Sequence, residues 1–302
     1  MQTQRYNEIS VSLLNQFPKY MKILASTLLC FAILFCFGDN ESFAQKTDSI
    51  MLRLNLKKGD LYSLSSINKK FGDDGTSTQM VTKAEYTISV EEVKRDGSTR
   101  IILRLDRFGF TFNSKEGKVV ISLDSKIRIT EKMGKVDQEL YDGVMKIIGF
   151  TFWIELSEKG EILRTNIDTV ISLHKGDRDI NGMVSGNSKM IVGFVSFAEH
   201  PVKEGDSWKA IGMDNREGKV TSGISNFVLQ AVHGSTADIS ISIKGWGDVP
   251  DGHSMENMIN GTSTVDINTG WLNKAQLTTE LNTEGSHRLS GKSEQIINII
   301  KK

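Results

Sequence analysis

The sequence predicts a mainly β protein, built as two curved antiparallel sheets or open half-barrels with a few short helices between them. Three observations carry this. Apolar and polar residues alternate at period two in segment after segment, as in Tyr86-Thr87-Ile88-Ser89-Val90, the pattern of a strand with one face buried and the other in water. Turn residues punctuate those segments, with 27 glycines and only 3 prolines in 302 residues. A clear helical period stands out at 135–149, where Val136, Leu140, Val144, Ile147 and Ile148 share one stripe and Gly149 ends it.

The chain opens with an export signal. Residues 23–37 are apolar, preceded by Lys19 and Lys22 and followed by Gly38-Asp39-Asn40. A helix of that length reaches roughly 22 Å, short of the ~30 Å of a bilayer core. It reads instead as a signal-peptide core, and Ser42 and Ala44 sit at the small-residue positions of a cleavage site. Cleavage is expected between Ala44 and Gln45, with Met21 a natural start of its own. The domain reading follows: a signal region over 1–44, a first β lobe with one helix over 45–165, a helical connection over 166–199, and a second β lobe over 200–302. Both cysteines, Cys30 and Cys36, leave with the signal. The mature chain then has no disulfide although its destination, periplasmic or extracellular, is oxidising. It also carries no transmembrane anchor.

The mature chain justifies its strands in order. Leu52, Leu54 and Leu56 alternate with polar residues, and Lys57-Lys58-Gly59-Asp60 turns the chain into Tyr62 and Leu64. The Tyr86–Val90 segment meets Ile101, Leu103 and Leu105 through the Lys94-Arg95-Asp96-Gly97 hairpin. Phe108, Phe110 and Phe112 continue at period two, and Glu116-Gly117 turns into Val119-Val120-Ile121. Residues 150–164 read as a hairpin about Ser157–Gly160, and 166–174 and 187–197 as short helices. Val202-Lys203-Glu204-Gly205-Asp206-Ser207-Trp208 then repeats the pattern of Leu56–Tyr62: apolar, Lys, any, Gly, Asp, any, aromatic. Gly permits the unusual backbone of such a turn and Asp closes it with a side-chain bond. Strands follow at 218–232, 236–246, 262–269 and 271–282, with a tight turn at Asn268–Trp271. The Gly- and Asn-rich stretch between Gly245 and Asn260 reads as a loop.

The opening Leu-x-Leu-Lys-Lys-Gly-Asp-x-Tyr, the helix before Phe152–Ile162 and the mid-chain Pro201-Val202-Lys203-x-Gly205-Asp206-x-Trp208 resemble a family of exported bacterial β-rich proteins known as a domain of unknown function. The resemblance implies export and a β fold. It implies no activity and transfers no site residue.

Composition excludes several function classes. Lys and Arg number 37, as do Asp and Glu, so no basic excess points to nucleic acid. The charge is uneven, however. Residues 94–135 hold eleven Lys or Arg against five Asp or Glu, and residues 245–273 hold four acidic residues and no basic one. A face for an anionic envelope component is one reading, and two differently charged lobes the plainer one.

Catalytic motifs fail on inspection. Ser66-Ile67-Asn68-Lys69 matches S-x-x-K, but it lies on a strand, where positions three apart face opposite sides, and its companion motifs are missing. Its plain reading is an exposed strand end. Gly291-Lys292-Ser293 lacks the earlier glycine of a P-loop, since Ser286 stands there. His174, His200, His233, His253 and His287 have no ligand spacing. No catalytic residue and no cofactor is therefore expected. The sharpest local match is Asp177-x-Asp179-x-Asn181-Gly182, the opening of a calcium loop. Its twelfth position is Ser188 where a bidentate Glu belongs, so a polar loop is the plainer reading. Phe108, Phe110 and Phe112 form an aromatic row that either fills the core or lines a ligand pocket.

These readings converge on an exported, non-catalytic binding or cell-envelope-associated protein. A carrier of a hydrophobic ligand such as lipid or lipoprotein is one alternative. An enzyme whose site is assembled from distant residues is the other. Protein recovered from outside the cytoplasm should begin at Gln45 by N-terminal sequencing, and a start upstream of it would contradict the export reading.

Overall fold

The computed structural model describes residues 49–72, 77–113, 119–126, 135–167, 195–216, 219–248, 254–283 and 290–302. Twelve strands form one antiparallel sheet, which corrects the expectation of two. In chain order they are β1 (Leu61–Phe71), β2 (Thr78–Val93), β3 (Thr99–Asn113), β4 (Val119–Asp124), β5 (Thr151–Leu156), β6 (Ile162–Thr165), β7 (Ser207–Arg216), β8 (Lys219–His233), β9 (Thr236–Asp248), β10 (Ser254–Asp266), β11 (Leu272–Thr283) and β12 (Ser290–Lys301). The single helix among the described residues, α1 (Lys135–Ile147), stands between β4 and β5. Bonded neighbours run β6-β5-β3-β2-β1-β12-β11-β10-β9-β8-β7, with β4 also on β3. Among the described residues the sheet does not close, because β6 and β7 at its two ends do not pair with each other.

One sheet forms instead of two because β12 is a full strand that lies against β1. Tyr62 pairs with Lys301 and the register holds to Lys70 with Ser293. The edge that a separate first lobe would leave open is thereby filled. β1 alternates strictly: Tyr62, Leu64, Ser66 and Asn68 are buried while the residues between them are half-buried or exposed. The loop expected over 245–260 is corrected at its two sides: Gly245 and Gly247 lie in β9 and Asn257 and Asn260 in the neighbouring β10, while residues 249–253 lie outside the described residues.

The repeated turn has the same geometry in both places. Gly59 and Gly205 adopt positive φ of 90° and 86°. Asp60 N donates to Lys57 O, and Asp206 N to Lys203 O, at 2.9 and 3.0 Å. Each aspartate carboxylate accepts from the backbone N–H of the lysine that opens its turn, at 3.1 and 3.0 Å. Both turns then dock on the hairpin that follows. Gly59 N donates to Val90 O and Val90 N to Asp60 O, while Gly205 N donates to Leu229 O and Leu229 N to Asp206 O. A β-bulge follows the docking residue in each case, between Val90 and Glu92 and between Leu229 and Ala231. The aromatic that ends each motif, Tyr62 or Trp208, is buried.

Two extended straps fill the sheet beside these turns. Residues 50–56 alternate as expected, with Leu52, Leu54 and Leu56 buried, but they form no ladder strand. Ile50 makes an isolated antiparallel bridge to Val202. Leu54 N donates to Glu158 O at 2.7 Å and Asn55 N to Thr269 O at 2.8 Å, so the strap runs between the β5–β6 and β10–β11 turns. The second strap, residues 195–202, is irregular; of the helix expected at 187–197 only residues 195–197 are described, and the helix expected at 166–174 lies outside the described residues beyond Ile167. It buries Val195, Phe197, Ala198 and Val202. Arg53 joins the straps by donating to Ala198 O at 2.6 Å and Glu199 O at 2.9 Å. Trp208 Nε1 ties the second strap to β7 through Ser196 O at 2.6 Å.

Close approach and backbone conformation can be separated by substitution. At Gly205 no atom lies within 4 Å of the place a methyl group would take, so Gly205→Ala should cost only the left-handed backbone, about 1–2 kcal/mol. Gly270, at φ 63°, presents its missing Cβ to the Arg53 carbonyl. Gly270→Ala should cost clearly more than Gly205→Ala, because the first strap must move as well. Urea unfolding of the two variants with unchanged m-values checks this.

Candidate functional site

The described part of the sheet offers one extended candidate, its inner face. Register places that face in two zones. Beside the straps it is apolar and filled: Leu64 pairs with Tyr86 and Ile299, Leu103 with Ile88 and Phe152, and Val265 with Ala237. Tyr62 meets Trp271 at 5.4 Å between ring centroids, Trp208 stacks on Phe227 at 5.5 Å, and Tyr86 meets Phe152 edge-on at 6.2 Å. Leu54, Leu156, Val195, Phe197, Trp271 and Ile299 border a cavity of about 30 Å³ there. An apolar cavity that admits a benzene ring is roughly 150 Å³, so this one has no room for an acyl chain.

Away from the straps the same face changes character. One row across the sheet runs Phe110, Thr82, Asn68, Gln295, Leu277, Gly261 and Ile241. Thr82, Asn68 and Gln295 are all buried, as is Ser66 one row nearer the straps. Gln295 Nε2 donates to Ser66 Oγ at 3.2 Å. Asn68 Oδ1 is buried and accepts no hydrogen bond, and the same holds for Ser263 Oγ and Asn257 Oδ1 on β10. The next row outward carries Phe112, Met80, Lys70, Ser293, Thr279, Ile259 and Ile243. Its apolar members are only half-buried, and Phe112 is 42% exposed. The inner face thus passes from a filled core, through a neutral polar strip, to a half-exposed floor whose apolar residues, Phe112 with Met80 and Ile259 with Ile243, are parted by Lys70, Ser293 and Thr279.

The sequence candidates fall on this map unevenly. Of the aromatic row, Phe108 and Phe110 are in the core and Phe112 stands at the open floor. All three face inward on β3, as their period requires, opposite Ala84, Thr82 and Met80. Ser66 and Asn68 share the inner face and Lys69 lies on the other, so no Ser–Lys pair forms. The reading of that segment as an exposed strand end is corrected, because Ser66 and Asn68 are buried. The calcium-loop candidates Asp177, Asp179 and Asn181 lie outside the described residues, as do His174, His253 and His287. Among the described residues no group of three or more His, Cys, Asp or Glu could hold a metal ion, and no helix is long and apolar enough to cross a membrane.

The outer face carries the described part of the basic segment, and there Lys94, Arg100, Arg104, Arg107 and Lys126 are paired with acids. Arg107 bonds Glu85 at 2.7 Å and also Asp124. Lys126 reaches the other oxygen of Glu85 at 2.6 Å. Asp106 takes Arg104 Nε at 2.6 Å and the Thr87 hydroxyl at 2.5 Å. Glu155 on β5 is only 3% exposed and takes Lys94 Nζ at 2.6 Å and Arg164 at 3.3 Å, with Arg100 at 3.5 Å. Arg100 also lies over the Trp153 ring at 4.9 Å. The Lys94 bond holds the Glu155 carboxyl below its ordinary range against the opposing effect of burial. Lys126 does the same for Glu85, and Arg107 for Asp124. At the first repeated turn, the bond from Lys301 at 2.7 Å lowers Asp60.

Carboxyls lowered in the folded state stabilise it above their unfolded pKa, and that stability is lost as pH falls through the folded values. Unfolding free energy should therefore stay level above an ordinary glutamate pKa of 4.5 and decline below it. Glu155→Gln should be less stable than the parent at neutral pH, and the gap should narrow as pH falls below 4.5 and through the lowered folded value. Urea midpoints across that range give the readout.

Comparison with known proteins adds little to this geometry. No family model matches the chain, and no curated protein matches it. Among solved structures it is similar to lipovitellin, from a study of lipid–protein interactions, at 9% identity and a TM-score of 0.39. That match covers 82% of this chain, which spans only 25% of the lipovitellin chain. DynF of the dynemicin biosynthesis pathway of Micromonospora chersina matches at 6% identity and a TM-score of 0.22, over 84% of this chain and 85% of its own. A Bacteroides fragilis protein presumed to be exported, with a YmcC-like fold, matches at 9% identity and a TM-score of 0.23, over 83% of this chain and all of its own. With every TM-score below 0.5, these likenesses carry no argument about what this chain does.

Proposed function

We propose that the chain is an exported, non-catalytic binding protein of the cell envelope that carries a hydrophobic ligand on the inner face of its sheet. One observation carries the carrier reading: the floor beyond the strip holds two apolar pairs, Phe112 with Met80 and Ile259 with Ile243, that are left half-exposed on either side of Lys70, Ser293 and Thr279. A sheet must bury its apolar face against something. At the strap end the protein does this itself with Leu52, Leu54, Leu56, Phe197 and Val202. At the other end an apolar guest would supply the missing cover, gaining about 25 cal/mol for each Å² of apolar surface it removes from water. The export reading draws on the residue 23–37 leader and on the resemblance carried by the two lysine–glycine–aspartate turns. The basic segment on the outer face supports a binding role less well, because Lys94, Arg104 and Arg107 are already paired with Glu155, Asp106, Glu85 and Asp124.

The test uses protein recovered from the cell envelope, extracted and examined by mass spectrometry for co-purified lipid, and then titrated with Nile red. The parent protein should bind the dye saturably with a blue-shifted emission. Phe112→Asp puts a charge on the exposed part of the floor and should weaken dye binding at least about tenfold with little change in melting temperature. Absence of co-purified lipid together with no saturable dye binding would overturn the carrier reading.

A further inference from the structure

We infer that the buried polar strip centred on Asn68 is the seat for an uncharged hydrogen-bond-donating group of the ligand, a hydroxyl or an amide N–H. This rests on the carrier reading and narrows it to an amphiphile whose neutral polar part enters the sheet.

The strip is anomalous where it stands. Along β1 the inward positions read Tyr62, Leu64, Ser66, Asn68, so the apolar alternation turns polar halfway along one strand while burial continues. The strands on either side turn polar at the same level, since Asn68 pairs with Thr82 on β2 and with Gln295 on β12. Three adjacent polar side chains at one level of a buried sheet face need hydrogen bonds to be tolerable. Gln295 meets part of that need through Ser66. Asn68 Oδ1 does not: the residue is 5% exposed and this oxygen has no partner. Ser263 Oγ repeats the situation on the row of Ser66, two strands beyond β12, and Asn257 Oδ1 repeats it on the same strand as Ser263.

The chemistry of these atoms selects the guest. An amide oxygen only accepts, so the group that satisfies Asn68 must donate. The buried polar residues of this face, Ser66, Asn68, Thr82, Ser263 and Gln295, are all uncharged. A phosphate or carboxylate placed among them would be desolvated with no counter-charge, whereas a hydroxyl or amide would gain partners at no such cost. Lys70, the cation on the next row, is exposed and leaves any charged part of a ligand at the rim. Met80 and Phe112 lie beside Lys70 on that same row, on β2 and β3, so one molecule can place its polar group on Asn68 and its chain on this part of the floor.

Three ligands of one chain length, 1-monooleoylglycerol, oleamide and methyl oleate, separate the cases by competition against Nile red. The first donates through hydroxyls, the second through an amide, and the third only accepts. The parent protein should bind 1-monooleoylglycerol or oleamide at least about tenfold more tightly than methyl oleate, a factor matching one hydrogen bond to a buried acceptor. Which of the two it prefers identifies the donor as hydroxyl or amide. Asn68→Leu should erase that preference while leaving methyl oleate affinity within about twofold. Asn68→Ala removes the same acceptor without added bulk and should give the same result if the leucine variant misfolds. Equal affinity for all three ligands in the parent, or a preference that survives both variants, would overturn the inference and leave Asn68 as a residue bonded to buried water. Failure of every ligand and of Nile red to bind would instead sink the carrier reading beneath it.

Discussion

The pairing of β1 with β12 is the constraint on which the rest of the structure depends. It aligns the first and last strands over Tyr62–Lys70 and Lys301–Ser293, residues more than two hundred positions apart in sequence. Without it, β1–β6 and β7–β12 would be separate sheets, each with an open edge at the centre. With it, one inner face runs unbroken from β6 to β7. The polar strip straddles this seam, since Asn68 belongs to β1 and Gln295 to β12. So does the ion pair between Lys301 and Asp60, which fastens the end of β12 to the first repeated turn. Closing so long a loop has an entropic cost that the contacts of this pairing must offset.

The straps make a second kind of connection across the same sheet. Residues 50–56 enter between the β5–β6 and β10–β11 turns, which belong to opposite halves of the chain. Arg53 then binds the second strap through two carbonyls. Three layers of interaction therefore coincide at one end: the repeated turns, the strap bridge between Ile50 and Val202, and the aromatic pairs at Tyr62 and Trp208. The other end of the strands has none of these among the described residues. Rigidity is concentrated where the core is filled, and the half-exposed floor lies away from it.

What could be read in the sequence was local. Tyr86–Val90 and Ile101–Leu105 alternate cleanly because one face of β2 and β3 is wet, and the Gly-Asp turns are visible because their backbone needs those residues. The 150–164 hairpin and the helix ending at Gly149 were legible for the same reason. β12 escaped notice because Ile296, Ile297, Ile299 and Ile300 put apolar residues on both faces, which hides the period; Ile300 points outward and is 69% exposed. Leu52–Leu56 has a strand's alternation without a ladder, since a strap buries every second residue as a strand does. The Gly- and Asn-rich segment around 245–260 has poor strand propensity, and its neighbours on both sides hold it in the sheet nonetheless. The polar strip left a faint trace, the change from Tyr62 and Leu64 to Ser66 and Asn68 at constant parity. Only the register with Thr82 and Gln295 shows that these residues meet others of their kind. The basic segment at 94–135 was visible as charge, but the acids that neutralise part of it, Glu85 and Glu155, come from outside it in sequence.

The unjoined ends of the sheet give the molecule a freedom that a closed cylinder lacks. In a barrel, strand number and shear set a fixed radius. Here the ladder stops at β6 on one side and β7 on the other. Small changes of twist between neighbouring strands can alter the curvature of the inner face while every ladder bond is kept. If the sheet carries a ligand as proposed, guests of different girth would meet the same set of side chains, with curvature acting as the adjustable dimension.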